Sequence, residues 1–204
     1  MARSTRDSIR QLSTVAHGQG GYFTAKQAIE AGYNYPHLEY HISTESFERV
    51  DHGLYRLPTV PRDEHDDLIR LSLWSRNQKD EPQAVVSHES ALVLHEMTDV
   101  LPNRIHLSVP RTFRKPTPNE CVLHKAVFAE GDVEERVGFR VTTPFRTLLD
   151  ASESDVSQEE FEKSVSNALS RGLVRRAKLV QALEKNPRLL RLKAALGRIK
   201  SGAK

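Results

Sequence analysis

Apolar residues recur at helical spacing near the start of the chain. Within residues 4–16, one stripe consists of Ile9, Leu12, Val15 and Ala16. Spacings of three and four residues place these side chains on one face of an α-helix. The sequence therefore predicts a first helix that is buried along one side.

Two short helices are predicted next. Thr24 and Gln27 stand three residues apart before a small apolar run, which is the pattern of a capping box. Gly32 follows where a helix end favours a left-handed residue. Pro36 suits the first turn of the next helix, because its missing N–H costs nothing there. The pattern predicts two helices joined by a tight glycine turn, the second over residues 36–44.

A β-hairpin is predicted directly after these helices. Residues 47–50 and 54–57 have the composition of short strands, and Asp51, His52 and Gly53 separate them. Glycine supplies the positive φ that a tight hairpin turn needs. Helices followed by such a hairpin predict a winged helix-turn-helix domain over residues 1–60.

The second of the paired helices has an unusual polar face. At about 100° per residue, Leu38 and Ile42 fall together and predict the buried side. The opposite side carries uncharged or basic side chains that stack or hydrogen-bond, namely His37, Tyr40, His41 and Thr44. This composition is expected of a helix that enters the major groove of DNA.

Predicted DNA contacts extend to the flanking turn and the hairpin. We expect Lys26, Arg49, His52 and Arg56 to contact phosphates, which fix the register of a protein on a duplex. The predicted DNA-binding residues are Thr24, Lys26, Gln27, Tyr35, His37, Tyr40, His41, Thr44, Arg49, His52, Tyr55 and Arg56.

Two other interpretations of this region remain open. Helix-turn-helix domains also serve as protein-interaction modules. His37 and His41 lie four residues apart, as metal ligands on a helix do, but the neighbouring sequence offers no third ligand.

The remaining chain, residues 61–204, predicts an α+β domain with a small mixed sheet and a helical C-terminus. Strands are expected near residues 84–86, 105–109, 121–128 and 137–144. Helices are expected over residues 63–74, 87–97, 144–152, 158–169, 173–183 and 188–200, and Ser87 is expected to cap the second of them. Residues 111–119 form a basic, proline-rich loop.

The formal net charge of +3 is unevenly distributed. Residues 1–60 contain six basic and six acidic side chains, whereas residues 171–204 contain 11 basic and one acidic. A basic tail is typical of nucleic-acid binding, of an acidic partner or of a solvated helix. The predicted basic surface consists of Arg171, Arg175, Arg176, Lys178, Arg188, Arg191 and Lys193.

Composition excludes several classes of protein. The hydrophobic fraction is 38 % and the charged fraction 28 %, which is ordinary for a globular protein. The start of the chain lacks the apolar segment of a signal peptide, and no run approaches the 18 apolar residues of a membrane span. One cysteine, Cys121, excludes an intrachain disulfide and a cysteine zinc site. We therefore predict a cytoplasmic protein, and Cys121 is expected to be buried.

Catalytic motifs are missing from the sequence. It contains no P-loop, no HExxH and no GxSxG, and no lysine follows an acidic residue by two positions as in common nuclease sites. Arg146 and Asp150 are expected to pair at i, i+4. The histidines at 88, 95, 106 and 124 could converge on a metal or acid–base site, but scattered structural positions are the preferred interpretation. The prediction is a non-enzyme that binds no cofactor and no metal.

Two sequence motifs stand out in the first sixty residues, namely Gly21-Tyr22-Phe23-Thr24 with Ala28 to Gly32, and Arg49-Val50-Asp51-His52-Gly53-Leu54-Tyr55-Arg56-Leu57. Both resemble the winged-helix domain of the AbiEi family of antitoxins. The segments VSHESALVLHEM, IHLSVP and TPFRTLLDAS of the second part are similar to the same family.

This resemblance implies the antitoxin of a type IV toxin–antitoxin (abortive infection) system. Such a protein represses its own promoter by binding inverted repeats in double-stranded DNA. Its functional counterpart is a nucleotidyltransferase-like toxin, and it acts as a monomer or weak dimer that is cooperative on DNA. The alternatives are a nuclease-like second domain targeted by the winged helix, and a protein-interaction module.

Overall fold

The structure, a computed structural model, describes residues 5–62 and 64–201. The chain divides into two compact units, residues 1–83 with 135–139 and residues 84–134 with 140–204. The predicted helix starts at Ser4 and Asp63 lie outside the described residues. The domain boundary at residue 60 stays a prediction.

The first unit contains four helices and a small three-stranded sheet among the described residues. In chain order its elements are α1 (Thr5–His17), β1 (Tyr22–Thr24), α2 (Ala25–Glu30), α3 (Tyr35–Ser43), β2 (Glu48–Asp51), β3 (Leu54–Arg56) and α4 (Asp66–Trp74). The sheet has the order β1-β3-β2, and both pairings are antiparallel.

Local hydrogen bonds fix the starts of α2 and α3. Thr24 Oγ1 accepts from the backbone N–H of Gln27, and Gln27 Oε1 accepts from the N–H of Thr24 at 2.8 Å, which confirms the capping box. Asn34 caps α3 by accepting from the N–H of His37 at 2.9 Å. Gly32 has a φ of 103°, so the predicted left-handed turn is confirmed.

Strand β1 was absent from the sequence prediction. It spans three residues after two glycines, which is too short for an alternation to be recognised. Tyr22 pairs with Arg56 and Thr24 with Leu54, so this strand extends the hairpin into a three-stranded sheet.

The core of the first unit contains side chains from α1, β1 and α3. Leu12 of α1, Phe23 of β1 and Leu38 of α3 are at most 1 % exposed. The Phe23 ring stacks on Tyr55 with centroids 5.7 Å apart and meets Phe47 edge-on at 5.0 Å. The connectivity and this packing are those of a winged helix.

Most residues of a five-stranded mixed sheet belong to the second unit. Its strands are β4 (Val85–Val86), β5 (Ile105–Val109), β6 (Cys121–Lys125), β7 (Val133–Arg136) and β8 (Phe139–Thr142), in the order β6-β5-β4-β8-β7. Its helices are α5 (His88–Leu94), α6 (Pro144–Ala151), α7 (Gln158–Ser170), α8 (Arg176–Lys185) and α9 (Leu190–Ser201).

Three sequence predictions for this part needed correction. A single strand was expected over residues 137–144, whereas two strands meet there around Gly138, whose φ is 79°. Helix α8 begins at Arg176 rather than at residue 173. Ser87 precedes α5, but its hydroxyl contacts the side chains of His88 and Ser108 instead of capping the helix. The predicted α+β class is confirmed.

A helical core stabilises the second unit. Leu148 of α6, Phe161 of α7, Leu179 of α8 and Leu192 of α9 are fully buried and belong to one apolar cluster. Burial of side chains of this size contributes roughly 1.5–3 kcal/mol each. This core supports the helices that carry the basic C-terminal residues.

Candidate functional site

Helix α3 presents two large aromatic side chains to solvent. Tyr35 is 64 % exposed and Tyr40 is 63 % exposed, and His37 is exposed beside them. Leu38 anchors the opposite side of the helix in the core at 1 % exposure. These outward rings are available to a partner, and Leu38 holds the helix that carries them.

His41 does not share this exposure. Its ring lies half-buried and stacks on Phe47 with centroids 4.6 Å apart, and it meets Tyr33 at 5.5 Å. Burial, together with the nearby charge of His37, lowers the pKa of His41. The helical wheel placed His41 on the outward face, and the packing against Phe47 corrects that placement.

Thr44 ends α3 and remains exposed. Its hydroxyl donates to the carbonyl of Tyr40 at 3.1 Å and lies 3.2 Å from the hydroxyl of Ser46. Ser43 makes a similar hydrogen bond to the Tyr40 carbonyl. These bonds fix the end of the helix, and Thr44 stays at the surface.

The wing carries one exposed arginine and one exposed histidine. Arg49 lies on β2 opposite Tyr55. His52 occupies the turn before Gly53, whose φ is 68°, and the backbone N–H of His52 donates to Asp51. Both predicted phosphate contacts are therefore accessible.

Two other predicted contacts on the wing are buried. Arg56 is 3 % exposed, donates to the carbonyl of Val60 and lies 3.9 Å from Glu48. Tyr55 is 5 % exposed within the core. Both were expected at the DNA surface, and their burial is a correction, because alternation along a three-residue strand does not fix which face is inward.

Three predicted DNA contacts, Thr24, Lys26 and Gln27, lie at the start of α2 and have different surroundings. Thr24 and Gln27 satisfy each other in the capping box, and Gln27 also bonds Gln19. Of these three residues, Lys26 is exposed, whereas Thr24 and Gln27 are half-buried.

Several of the basic C-terminal residues are engaged within the second unit. Arg191 donates to the carbonyls of Ser154 and Val156. Arg171 donates to the carbonyl and to the carboxylate of Glu96, and Arg176 donates to the carbonyl of Leu196. The guanidinium groups of Arg171, Arg176 and Arg191 are therefore engaged within the second unit, and the basic surface of seven residues stays a prediction.

Four of the seven basic residues are exposed, and within the described residues their side chains donate no hydrogen bond to a backbone carbonyl. Lys178 lies over the Phe145 ring at 4.2 Å. The four are Arg175, Lys178, Arg188 and Lys193.

Three histidines of the second unit converge, as the sequence left open. The rings of His88 and His124 stack with centroids 3.6 Å apart. His106 Nδ1 lies 3.1 Å from His124 Nε2 and 2.9 Å from Glu89 Oε2. Glu89 was not among the predicted residues, since only its position beside His88 on α5 signals it. We call this set of four residues the histidine cluster.

The pKa values of two residues in the histidine cluster, His88 and Glu89, are strongly lowered. Burial, and secondarily the charge of His124, lowers the pKa of His88 to about 3. Burial of Glu89 favours its protonated form, but hydrogen bonds from His106 and Ser154 outweigh it and lower the pKa of Glu89 to about 2. Near neutral pH, His88 is therefore uncharged and Glu89 is ionised.

The remaining candidates from the sequence have structural partners. His95 lies outside the cluster and contacts the carbonyl of Thr142 at 2.7 Å. Arg146 pairs with Asp150 at 2.8 Å, as predicted, and also with Asp132 at 2.9 Å. Cys121 is buried.

Across residues 5–62 and 64–201, no three His, Cys, Asp or Glu side chains are arranged to hold a metal ion. In the same described segments, no helix combines the length and apolar character that crossing a membrane requires.

The fold and the α3 surface define a winged-helix protein. Residues 10–58 match the model of a family described as transcriptional regulators, AbiEi antitoxin, so the resemblance seen in the sequence is confirmed over that segment. This is a family of regulators rather than of enzymes. No curated protein matches the chain.

Among solved structures, the chain is similar to the RV2827C protein from Mycobacterium tuberculosis. The two are 16 % identical with a TM-score of 0.47, and the alignment covers 97 % of this chain and 83 % of that one.

Proposed function

We propose that this protein is a DNA-binding transcriptional autorepressor and the antitoxin of a type IV toxin–antitoxin system. One observation carries the proposal: residues 10–58, which match the AbiEi regulators, form a winged helix whose third helix exposes Tyr35, His37 and Tyr40. These side chains have the chemistry that base edges and thymine methyl groups require.

The position of α3 supports its role as the recognition helix. In helix-turn-helix proteins, the second helix of the pair lies in the major groove and its N-terminal residues contact bases. Tyr35 and His37 occupy the first turn of α3, and Tyr40 follows one turn later. All three are exposed, and the three-residue spacing of His37 and Tyr40 places these two side chains on one face of the helix.

Phosphate contacts would come from both sides of α3. Lys26 precedes it on α2, and Arg49 and His52 follow it on the wing. Arg56 and Tyr55 leave this proposed interface because they are buried. Among the C-terminal residues, Arg175, Arg188 and Lys193 are exposed and would add electrostatic affinity without base specificity.

Binding to the protein's own upstream DNA tests the repressor proposal. The protein is titrated against that DNA and against a scrambled duplex at two salt concentrations. We expect preferential binding to its own promoter and a slope of log K against log salt of about −0.9 for each phosphate neutralised. Tyr40→Ala should weaken specific binding by roughly 1–3 kcal/mol, about 5- to 150-fold.

A matched control separates the interface from general surface effects. Val127→Ala removes an apolar side chain that is 74 % exposed in the second unit, and it should leave the affinity unchanged. Equal binding to both duplexes, lost at moderate salt, would contradict the repressor proposal and favour a protein-interaction role for the winged helix.

The antitoxin role is tested separately in growing bacteria. Co-expression with a nucleotidyltransferase-like toxin encoded beside it should restore growth. Tyr40→Ala should still restore growth when its expression is set by an external promoter, because the resemblance to the AbiEi antitoxins implies that the second domain, residues 61–204, carries the antitoxin activity. Failure of the unchanged protein to restore growth would refute the antitoxin role and leave the repressor role standing.

A further inference from the structure

The histidine cluster brings together side chains from three elements of the second unit, α5, β5 and β6. Glu89 comes from α5, directly after His88, while His106 and His124 come from the neighbouring strands β5 and β6. His88 adopts a φ of 51°, a left-handed conformation that costs about 1–3 kcal/mol for a residue other than glycine and that clusters at functional sites. The fold thus maintains a strained backbone where these side chains meet.

The cluster opens onto a cavity of about 730 Å³. This volume lies within the range of roughly 300–1,000 Å³ of small-molecule sites. Glu89, His106 and His124 belong to its lining. Apolar side chains also belong to it, among them Leu101 and Val122. The cavity lining therefore combines polar and apolar side chains.

Hydrogen bonding within the cluster leaves an acceptor for a ligand. His106 Nδ1 is within hydrogen-bond distance of both Glu89 Oε2 and His124 Nε2. One proton on Nδ1 satisfies only one of these two acceptors. The other acceptor is then free for a donor that arrives through the cavity, and a buried acceptor without a donor costs about 1–3 kcal/mol.

The charge of the wall selects a cationic donor. Glu153 and Asp155 line the cavity together with Glu89, against one guanidinium, that of Arg104. Burial, together with the charge of His106, lowers the pKa of His124, and the negative charges of Glu89 and Asp155 oppose this shift. A fourth carboxylate, Glu160, accepts from Thr98 and is less available.

We propose that this cavity binds a ligand with an alkylammonium group, which donates to the acceptor that His106 leaves free, Glu89 Oε2 or His124 Nε2, and whose chain contacts the apolar side chains of the lining. The inference goes beyond the proposed repressor function and is independent of DNA binding. A metal ion fits less well, because Glu89, His106 and His124 point at one another at hydrogen-bond distances rather than at a common centre.

Titration of the full-length protein with pentylamine tests the proposal, followed by NMR of the histidine ring Cε1–H signals. We expect saturable binding with a Kd on the order of 1 mM, as for a ligand of few atoms, and shifts confined to His106, His124 and His88. Pentanoate has the same chain length with the opposite charge and should bind at least 10-fold more weakly.

Three variants locate the site. Glu89→Gln should weaken pentylamine binding at least 10-fold. Asp155→Asn changes an exposed side chain, so it keeps the fold if Glu89→Gln does not, and it should weaken binding about 2- to 5-fold. Glu130→Gln removes an exposed carboxylate outside the cavity lining and should leave binding unchanged.

A second probe distinguishes the source of the ammonium group. Tighter binding of N-acetyl-lysine methylamide than of pentylamine would assign the site to a lysine side chain of a partner, and the reverse to a free amine; both support the proposal. The proposal is overturned if pentylamine does not saturate, if pentanoate binds equally well, or if Zn²⁺ binds at the cluster and excludes the amine.

Discussion

Histidine and tyrosine rings mark two regions of this molecule, and their surroundings are opposite. On α3, His37 and Tyr40 extend into solvent from a convex helix. In the second unit, His88 and His124 stack with ring centroids 3.6 Å apart, and His124 lines a cavity. An exposed helix face suits a macromolecule such as DNA, whereas a cavity of this size suits a small ligand. Burial and partners therefore separate two roles that residue type alone does not.

The same contrast holds among the basic residues, where the largest effects on stability are expected. Arg191→Ala should lower the free energy of unfolding by about 2–4 kcal/mol, because the carbonyls of Ser154 and Val156 lose a charged donor. Lys193→Ala, on the exposed side of the same helix, should change it by less than about 0.5 kcal/mol. Urea denaturation followed by circular dichroism measures both. Equal effects of the two substitutions would remove the distinction between engaged and free basic residues.

The two arginines of the wing offer a comparison of intermediate size. Arg56→Ala should destabilise the first unit by about 1–3 kcal/mol, because the buried guanidinium donates to the Val60 carbonyl. Arg49→Ala should leave stability unchanged and weaken binding to all DNA sequences alike, with a salt slope smaller by about 0.9. Thermal melts and DNA titrations of both variants test this. If Arg56→Ala leaves the melt unchanged and Arg49→Ala lowers it, the two roles are reversed.

The histidine cluster predicts how stability depends on pH. The pKa of His88 is about 3 in the folded protein and ordinarily 6.5, so the unfolded chain binds the extra proton between these values. Stability should therefore fall as pH decreases from about 6.5, by up to about 1.4 kcal/mol per pH unit. Glu89, with its pKa lowered to about 2, adds to this loss below about pH 4.5. Asp150 opposes it, because burial raises its pKa to about 6.

Replacement of His88 isolates its contribution to that profile. His88→Asn keeps a residue that tolerates the left-handed φ of 51° and removes the titrating ring. The difference in stability between the unchanged protein and this variant should decrease steadily from pH 6.5 to pH 4.5, as measured by urea denaturation. A difference that is constant over this range would show that His88 does not titrate abnormally.

Much of the first unit could be predicted from sequence because its signals are local. The capping box of Thr24 and Gln27, the glycine turn at Gly32 and the hairpin at Gly53 each depend on residues within a few positions of one another. The burial of Arg56 was not predictable in this way. The burial of Arg56 depends on the path of the chain after β3, which brings the carbonyl of Val60 to the Arg56 guanidinium.

The candidate sites of the second unit depend on contacts between distant segments. His106 and His124 lie 18 positions apart and meet because β5 and β6 are parallel neighbours in register. The sequence supplied the histidines as candidates, but only the sheet order brings them to Glu89. Arg191 likewise reaches carbonyls more than 30 positions away, and basic composition alone could not reveal that.

The smallest expected effect is the one that most directly defines the α3 face. Tyr35→Ala and Tyr40→Ala should each change the free energy of unfolding by less than about 0.5 kcal/mol, since both rings are more than 60 % exposed and exposed substitutions rarely cost more. His41→Ala is the internal comparison, because its ring packs against Phe47 and Tyr33, and it should cost about 1–2 kcal/mol. Thermal melts of the three variants suffice. A loss above 1 kcal/mol for either tyrosine would mean that its ring supports the fold, and the face left for DNA would shrink to His37 and the wing.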